Sequence, residues 1–336
     1  MLQVHDCDLS ARNSFRMKVR CALFVEVSSE EELSALDWSA LPQPLLVIGG
    51  GSNLLFTGDF PGTVLHVAIG GRQYCPESGE VTLGAGVVFD EFCAWAAAEG
   101  LWGPENLSLI PGEAGAAAVQ NIGAYGVEAK DLLCGIRAYD RSSGRFVRID
   151  PADCAYGYRS SNFKTAWKGR YILTAVSFRL SRAPQPRLDY GGLREAVRHP
   201  MTPEGIRETV IGIRQKKLPA VEEVGSAGSF FCNPVISRAH FARIEAIARE
   251  DNGPDFRVPH YPAGDRVKIP AAWMIEQCGF KGVRNGGAQV YPMQPLVIVN
   301  ASGEARPEDI IGLERDIIRS IENKYGITLH PEVEHV

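Results

Sequence analysis

The sequence lacks the features that mark membrane proteins, nucleic-acid-binding proteins and secreted proteins. No apolar run approaches the about 18 residues that a membrane span needs, and the nearest approach to a basic run is only RQKK at 214–217. The net charge of −5 also argues against an anionic partner surface. Because no basic segment followed by an apolar one stands at the N-terminus, we expect a cytoplasmic protein.

Familiar metal and nucleotide motifs are missing as well. The eight cysteines are never closer than 14 residues in sequence, so no CxxC pair occurs and we interpret them as reduced thiols. The dinucleotide fingerprint G-x-G-x-x-G is absent, since GAGVVF at 84–89 fails at its last position, and there is no P-loop. His330 and His335 fit no known ligand spacing, so no metal site is predicted.

What is present is an ordinary globular composition and a mixed pattern of strands and helices. A length of 336 residues with 45% hydrophobic and 22% charged residues is typical of roughly two domains. The first half alternates strand-like and helix-like segments, which favours an α+β domain of two lobes, about 13–70 and 71–183. Residues 184–201 read as a connection or lid, and 202–336 as a second domain.

Local signals place the main elements. Gly100 is predicted to end a helix over 87–100, and Thr202 with Pro203 to start one that reaches Lys217. The turn RSSG at 141–144 predicts a hairpin. Further predicted elements are strands at 20–27, 45–48, 170–180, 295–300 and 330–336, and helices at about 237–250, 270–278 and 307–324.

Two segments are rich in very small residues. The sequence IPGEAGAAAVQNIGAYG at 110–126 contains four glycines and five alanines, and GGGSN at 49–53 follows a predicted strand. Small residues let a backbone approach another body and leave its N–H groups available as donors, which would suit a pyrophosphate. The alternative is a tight helix and loop packed against a neighbouring element.

Three further stretches could carry chemistry. Arg159 stands among aromatic residues in YGYRSSNFK and would meet a carboxylate or phosphate, the alternative being an aromatic stack at the surface. Ser229 follows a small-residue turn, and the alternative is a plain turn residue. Glu332 and Glu334 would share one face of a C-terminal strand, with Val333 on the other.

Six blocks together resemble the UDP-N-acetylenolpyruvoylglucosamine reductase family, the MurB flavoenzymes of bacterial peptidoglycan synthesis. They occur in the family's order from about residue 13 to the end of the chain: GGGSNLLF, IPGEAGAAAVQNIGAYGVE, YGYRSSNFK, GSAGSFFCNPV, IPAAWMIEQCGFKG and HPEVEHV. The alanine-rich EAGAAA departs from many members, which carry a proline there. The resemblance implies a two-lobed FAD-binding domain of the PCMH/vanillyl-alcohol-oxidase type at 13–183, followed by a smaller α+β substrate-binding domain at 202–336.

The resemblance also implies the cofactors. FAD would be held non-covalently, and NADPH would be the electron donor for reduction of UDP-N-acetylglucosamine enolpyruvate to UDP-N-acetylmuramate. The residues implied to contact FAD lie in the two small-residue segments: Gly49, Gly50, Gly51, Ser52, Asn53, Leu54, Pro111, Gly112, Gly115, Ala116, Gln120, Asn121, Gly123 and Tyr125.

The family's catalytic residues carry over onto Arg159, Ser229 and Glu332. By resemblance, Arg159 would stabilise an enolate, Ser229 would give the proton, and Glu332 would act as an acid at the same centre or orient a donor. The UDP-sugar would be bound by Lys217 and by Tyr190 of a mobile loop typical of the type I subgroup. Weaker candidates in the same site are Asn233 and Gln289, and the protein is expected to be a monomer.

Two other functions are open to a chain of this kind. An FAD-dependent oxidase shares the flavin-binding domain type, but its covalent form needs a His or Cys in the flavin loops, and 49–56 and 110–126 contain neither. A non-catalytic flavin or UDP-sugar binding protein would not need Arg159, Ser229 and Glu332 together.

Overall fold

The computed structural model describes residues 1–190, 192–198, 200–220 and 223–336. Its strands are β1 (Leu2–Asp8), β2 (Arg20–Val27), β3 (Leu45–Ile48), β4 (Leu54–Leu55), β5 (Phe60–Val67), β6 (Arg72–Cys75), β7 (Glu80–Gly84), β8 (Gly123–Ala124), β9 (Val127–Glu128), β10 (Leu133–Asp140), β11 (Arg145–Ile149), β12 (Tyr171–Arg179), β13 (Gly225–Ser229), β14 (Val235–Ile236), β15 (Tyr261–Ala263), β16 (Arg266–Lys268), β17 (Arg284–Asn285), β18 (Ala288–Val290), β19 (Val297–Asn300) and β20 (Glu334–His335).

The α-helices are α1 (Glu30–Ser34), α2 (Phe89–Ala98), α3 (Ala114–Gln120), α4 (Leu193–Ala196), α5 (Pro203–Lys217), α6 (Arg238–Asn252), α7 (Ala271–Gln277) and α8 (Pro307–Tyr325). The predicted ends are confirmed where a specific residue sets them. After α2, Gly100 has φ +68°, and the Thr202 hydroxyl accepts the N–H of Gly205 at 3.0 Å at the start of α5.

The chain forms two compact units. The first contains residues 1–9, 19–52 and 59–216, and the second contains 10–18, 53–58 and 217–336. This division differs from the predicted domains, because β4 pairs with β20 and because α5 buries Ile206 and Val210 in a cluster with Trp102. The domain boundaries themselves stay a prediction. Gly191 and His199, within the predicted connection 184–201, lie outside the described residues.

The first unit contains two sheets, each with its own core. One has the order β1-β2-β5-β3, in which β5 pairs in parallel with both β2 and β3. The other is antiparallel, with the order β11-β10-β12-β7-β6. Phe89 and Phe92 of α2 pack on Phe178 of β12, and the Phe92 and Phe178 ring centroids are 5.1 Å apart. Hydrophobic burial of these rings anchors α2 on the sheet.

The second unit is built on the sheet β13-β19-β18-β17, with α8 packed on it. Ile310, Ile317, Ile321 and Tyr325 are buried and form the apolar face of α8. A smaller sheet, β14-β16-β15, lies under α6. Both units therefore combine helices with sheets, as the predicted α+β class requires.

One strand prediction is wrong in extent. Residues 330–336 were expected to form a strand, but only Glu334–His335 does so, pairing in parallel with β4. Pro331 has no N–H to donate to a ladder, and it makes only an isolated bridge with Phe231. Burial still alternates along this segment, because Val333 is buried while Glu332 and Glu334 on either side of it are half-buried.

Candidate active site

The two small-residue segments of the first unit approach each other backbone to backbone. A Cβ built on Gly50 would lie 3.4 Å from the Gly112 Cα, and one on Gly112 would lie 3.0 Å from Ser52 Oγ. Gly112 also has φ +113°, a conformation that L side chains rarely adopt. The Ser52 hydroxyl donates to the Pro111 carbonyl at 3.3 Å. A side chain at Gly112 would crowd Ser52, whereas a Cβ at Gly50 would make an ordinary contact.

The helix that follows is packed as closely. A Cβ on Gly115 would lie 2.9 Å from the Ala85 Cβ, and one on Gly49 would lie 3.2 Å from the Ala116 Cβ. Close packing of a helix and loop, the alternative considered for 110–126, therefore explains part of its composition. It does not explain GGGSN, where the backbone N–H groups of Gly50, Gly51 and Ser52 donate no hydrogen bond to any residue that the structure describes.

Those N–H groups are the observation that supports a cofactor. A run of unpaired backbone donors beside a surface too close for side chains suits an anionic group that approaches the main chain. The residues present therefore fit the FAD implied by the resemblance, with contacts provided by the backbone of 49–52 and 111–116.

The amide side chains of the second segment are occupied by the protein. Asn121 is fully buried, has φ +47°, and donates to the Glu128 carboxylate at 2.9 Å and the Gly157 carbonyl at 2.8 Å. Its oxygen accepts the Lys130 N–H at 3.0 Å. Gln120 accepts from Lys164 Nζ at 2.9 Å. Asn121 thus shapes the turn after α3, which the sequence pattern could not distinguish from a contact with a ligand.

Arg159 is held against the same turn. Its guanidinium donates to the Gly123 carbonyl at 2.7 Å and lies over the Tyr158 ring, 5.2 Å from the centroid. A Cβ on Gly123 would lie 2.9 Å from the Val127 carbonyl and 3.0 Å from Arg159 Nη1, so a larger residue would crowd this turn. The backbone of Arg159 has φ +55°, a left-handed conformation uncommon for arginine. Strain of this kind persists where the surroundings fix the residue, and it is often found at functional sites.

Tyr125 and Tyr190 meet in the first unit. Their ring centroids are 6.4 Å apart in an edge-to-face arrangement, and Tyr125 has φ +47°. Burial raises the pKa of the Tyr125 hydroxyl above its usual value, with an opposing effect from Arg214. Three neighbours of Tyr190 in the predicted connection are buried, namely Leu188, Leu193 and Val197.

Arg214 was not singled out from the sequence. Burial lowers the pKa of its guanidinium, and its Nε atom is buried with no partner among the described residues. It lies on α5 three residues before Lys217, a spacing that puts two cations on one helix face. That spacing in RQKK was the signal available in the sequence. Lys217, at the last position of α5, is exposed.

In the second unit, Ser229 and Glu332 lie on hydrogen-bonded neighbouring segments. The Glu332 N–H donates to the carbonyl of Phe230, directly after Ser229, at 2.8 Å, and the Cys232 N–H donates to the His330 carbonyl at 2.9 Å. Phe230 and Phe231 are buried and anchor the end of β13. The Ser229 hydroxyl makes no hydrogen bond to a residue that the structure describes. The structure thus brings together two residues separated by about a hundred positions in sequence.

Other predicted site residues have structural partners in this unit. Asn53 Nδ2 donates to the Glu332 carbonyl at 3.0 Å, and Leu54 is a buried residue of β4. Asn233 Oδ1 accepts the Ala271 N–H at 2.8 Å, and Gln289 Nε2 donates to the Gly282 carbonyl at 3.0 Å. These bonds fix the side chains, and a substrate contact at any of them stays a prediction.

Neither a helix that could span a membrane nor a metal-binding cluster occurs in the part of the chain that the structure describes. In residues 1–190, 192–198, 200–220 and 223–336, no helix is both long enough and apolar enough to span a membrane. Within the same ranges, no group of three or more His, Cys, Asp or Glu side chains could hold a metal ion.

Comparisons with known proteins cover nearly the whole chain. Residues 219–336 match the model of the UDP-N-acetylenolpyruvoylglucosamine reductase C-terminal domain, and residues 21–150 match a model described as FAD binding domain. A UDP-N-acetylenolpyruvoylglucosamine reductase of Bacteroides fragilis (strain YCH46) is 44% identical over 335 residues, 98% of both chains. One from Chromobacterium violaceum is 43% identical over 340 residues, 97% of both chains.

A solved structure supports the fold. The crystal structure of UDP-N-acetylenolpyruvylglucosamine reductase (MurB) from Thermus caldophilus aligns with a TM-score of 0.68 at 23% identity, covering 99% of this chain and 98% of that one. At this identity the likeness concerns the fold alone. The predicted fold class, an FAD-binding domain followed by a smaller α+β domain, is confirmed by these matches.

Proposed function

Because the chain belongs to the UDP-N-acetylenolpyruvoylglucosamine reductase family, we propose that it reduces UDP-N-acetylglucosamine enolpyruvate to UDP-N-acetylmuramate in peptidoglycan precursor synthesis. The enzyme is an FAD-dependent oxidoreductase that uses NADPH. The observation that carries the proposal is the close approach of 49–52 and 111–116, with unpaired N–H groups at Gly50, Gly51 and Ser52.

The chain's own residues would hold the cofactor mainly by backbone. The N–H groups of Gly50, Gly51 and Ser52 would bind its pyrophosphate, and the turn shaped by Asn121 would border its ring system. When bound, FAD supplies the redox step, taking a hydride from NADPH and delivering it to the terminal methylene carbon of the enolpyruvyl group. No His or Cys lies in 49–56 or 110–126, so attachment is non-covalent.

The protein's task is to manage the charge left by hydride addition. Adding hydride to the methylene carbon leaves negative charge on the adjacent carbon and the carboxylate, and adding one proton there completes the reduction. Arg159 is proposed to stabilise that charge, because a guanidinium keeps its proton at any working pH. Its bond to the Gly123 carbonyl and its fixed left-handed backbone would hold the cation in one place.

Ser229 is proposed to deliver the proton. Its hydroxyl is not engaged by the described residues, and its backbone is anchored by buried Phe230. A hydroxyl is a weak acid, but a carbanion is basic enough to take its proton if the donor is well placed. Glu332, on the adjoining segment, is proposed to act at the same centre, as an acid or by orienting the donor.

One exposed lysine, one tyrosine and two amide side chains are proposed to recognise the substrate. Lys217 would meet the diphosphate of the UDP-sugar, with Tyr190, Asn233 and Gln289 as further contacts. Acting on a small-molecule UDP-sugar follows from the family. A monomeric state and a cytoplasmic location also belong to the proposal.

The decisive experiment is an assay of NADPH oxidation by the purified protein, with and without UDP-N-acetylglucosamine enolpyruvate. We expect a yellow protein whose oxidation of NADPH depends on that substrate and which releases intact FAD on acid denaturation. Oxidation that runs equally with oxygen alone would favour an oxidase. Colour that stays with the precipitated chain would contradict non-covalent binding.

A further inference from the structure

A histidine clamped by two carboxylates lies beside the glycine loop of the first unit. His66 of β5 has its Nδ1 2.9 Å from Glu26 Oε2 and its Nε2 2.9 Å from Glu113 Oε1. The side chains of His66 and Glu113 are only 13% and 12% exposed. His66 pairs across the sheet with Ile48, directly before Gly49. The cluster therefore joins β2, β5 and the segment that leads into α3.

The Glu113 side chain is not held in place by capping the helix that follows it. It is the N-cap of α3, with an extended backbone, yet its carboxylate makes no capping hydrogen bond to the helix. It points to His66 instead, and its Oε2 would be 3.1 Å from a Cβ built on Gly49. A carboxylate thus lies against the loop 49–52, where a negative charge would repel an anionic ligand.

We propose that His66 is a positioning residue for FAD: as an imidazolium held between Glu26 and Glu113, it fixes and neutralises the Glu113 carboxylate beside the Gly49–Ser52 loop. This inference rests on the proposed function, in which that loop binds the cofactor's pyrophosphate. With a neutral side chain at position 66, Glu113 loses its counter-charge and disfavours the bound anion.

The charges around His66 determine how FAD affinity depends on pH. Glu26 faces it from β2 and Glu113 from the segment before α3, while β3 (LLVI) has no titratable residue. Burial lowers the pKa of His66, but the hydrogen bonds that its ring N–H groups donate to the two carboxylates outweigh this effect, so the pKa is raised above 6.5. The His66 side chain is fully protonated at low pH, and it loses its positive charge as the pH rises through the raised pKa. FAD affinity should therefore fall over that range.

The test measures FAD release from the full-length holoprotein on dilution, by the fluorescence of free FAD, between pH 5.5 and 9. His66→Gln should weaken FAD binding about 10- to 100-fold at pH 6, as expected for a charge that loses its partner, and far less at pH 9. The double variant His66→Gln/Glu113→Gln should recover most of the loss, because the carboxylate at position 113 beside the loop is then neutral and needs no counter-charge. His5→Gln, on exposed β1, is the matched control and should change nothing.

Two results would overturn the inference while leaving the proposed function intact: a double variant that binds FAD no better than His66→Gln, or a His66→Gln profile with the wild-type pH dependence. A wild-type protein that holds no FAD would instead contradict the proposed function. If His66→Gln fails to fold, Glu26→Gln carries the test. Removing one carboxylate should move the pH midpoint of FAD release downward, and an unchanged midpoint overturns the inference.

Discussion

The proposed flavin loops of the first unit and the Ser229–Glu332 segments of the second are built in opposite ways. At Gly49, Gly112 and Gly115, the arrangement depends on the absence of a Cβ atom, because one built there would lie 3.1 Å or less from a neighbour. At Ser229 and Glu332, backbone hydrogen bonds form the frame, and the side chains are what the proposed chemistry uses.

Because of this difference, we expect substitutions in the two regions to impair different functions. Adding a methyl group to the loops should loosen cofactor binding without touching a reacting atom. Removing a hydroxyl from the second unit should stop a chemical step while the cofactor stays bound. Substitutions in each region would test this difference.

Removing the Ser229 hydroxyl should have the largest effect. Ser229→Ala should slow reoxidation of reduced FAD by the enolpyruvyl substrate about 10²- to 10⁴-fold, or about 3 to 5.5 kcal/mol of barrier, as expected for a lost general acid. Reduction of FAD by NADPH and FAD content should be nearly unchanged. Rapid-mixing absorbance separates the two half-reactions. If both slow equally, or neither slows, Ser229 is only a turn residue and Glu332 becomes the first candidate for the proton.

Removing a substrate contact should have an intermediate effect. Lys217→Ala should weaken UDP-sugar binding by about 1.5–3 kcal/mol, the range for a lost charge-assisted hydrogen bond. FAD content should stay constant. Calorimetric titration of the UDP-sugar measures the change, and Lys216→Ala, at the neighbouring exposed position, is the control. Loss of FAD from the Lys217 variant would show that the assignment of Lys217 to the substrate site is wrong.

Adding one methyl group to the flavin loops tests the other half of the comparison. Gly112→Ala should reduce the free energy of unfolding by about 1–2 kcal/mol, because φ +113° is strained for alanine. It should also weaken FAD binding, since the new Cβ meets Ser52 Oγ. Gly100→Ala has a positive φ of 68° and open space around it, so it should lose stability but keep FAD. Equal FAD loss in both variants would refute a specific role for the loop.

The smallest effect concerns the C-terminal strand. His335 Nε2 lies 3.2 Å from Oε2 of buried Glu314, and this carboxylate raises the pKa of the imidazole. A raised pKa stabilises the folded state below pH 6.5, and that contribution is lost as the pH rises through the folded pKa. His335→Gln should therefore lower the free energy of unfolding by about 0.5–1 kcal/mol at pH 5.5 and by almost nothing at pH 9. Urea unfolding at the two pH values would show it, and a pH-independent loss would point to packing.

The sequence predicted elements best where one residue type determines the backbone. Gly100, Thr202 and Pro203 marked helix ends correctly, since glycine tolerates a positive φ and proline and threonine suit helix starts. The predicted strand over 330–336 was too long because pairing, which local pattern does not contain, limits it to two residues. Composition marked the two small-residue segments, whose contact with FAD stays a prediction, but it did not reveal the buried structural role of Asn121.

Composition and the order of the motifs were enough to identify the family, the α+β class and the small-residue segments. Tertiary structure alone decided which groups meet: Glu332 beside the residue after Ser229, Arg159 on the Gly123 carbonyl, and His66 between Glu26 and Glu113. The physical reason is that a hydrogen bond or ion pair acts over about 3 Å, while the partners lie about 35 to 100 residues apart in the chain. Only the folding of strands into sheets brings such partners within that distance.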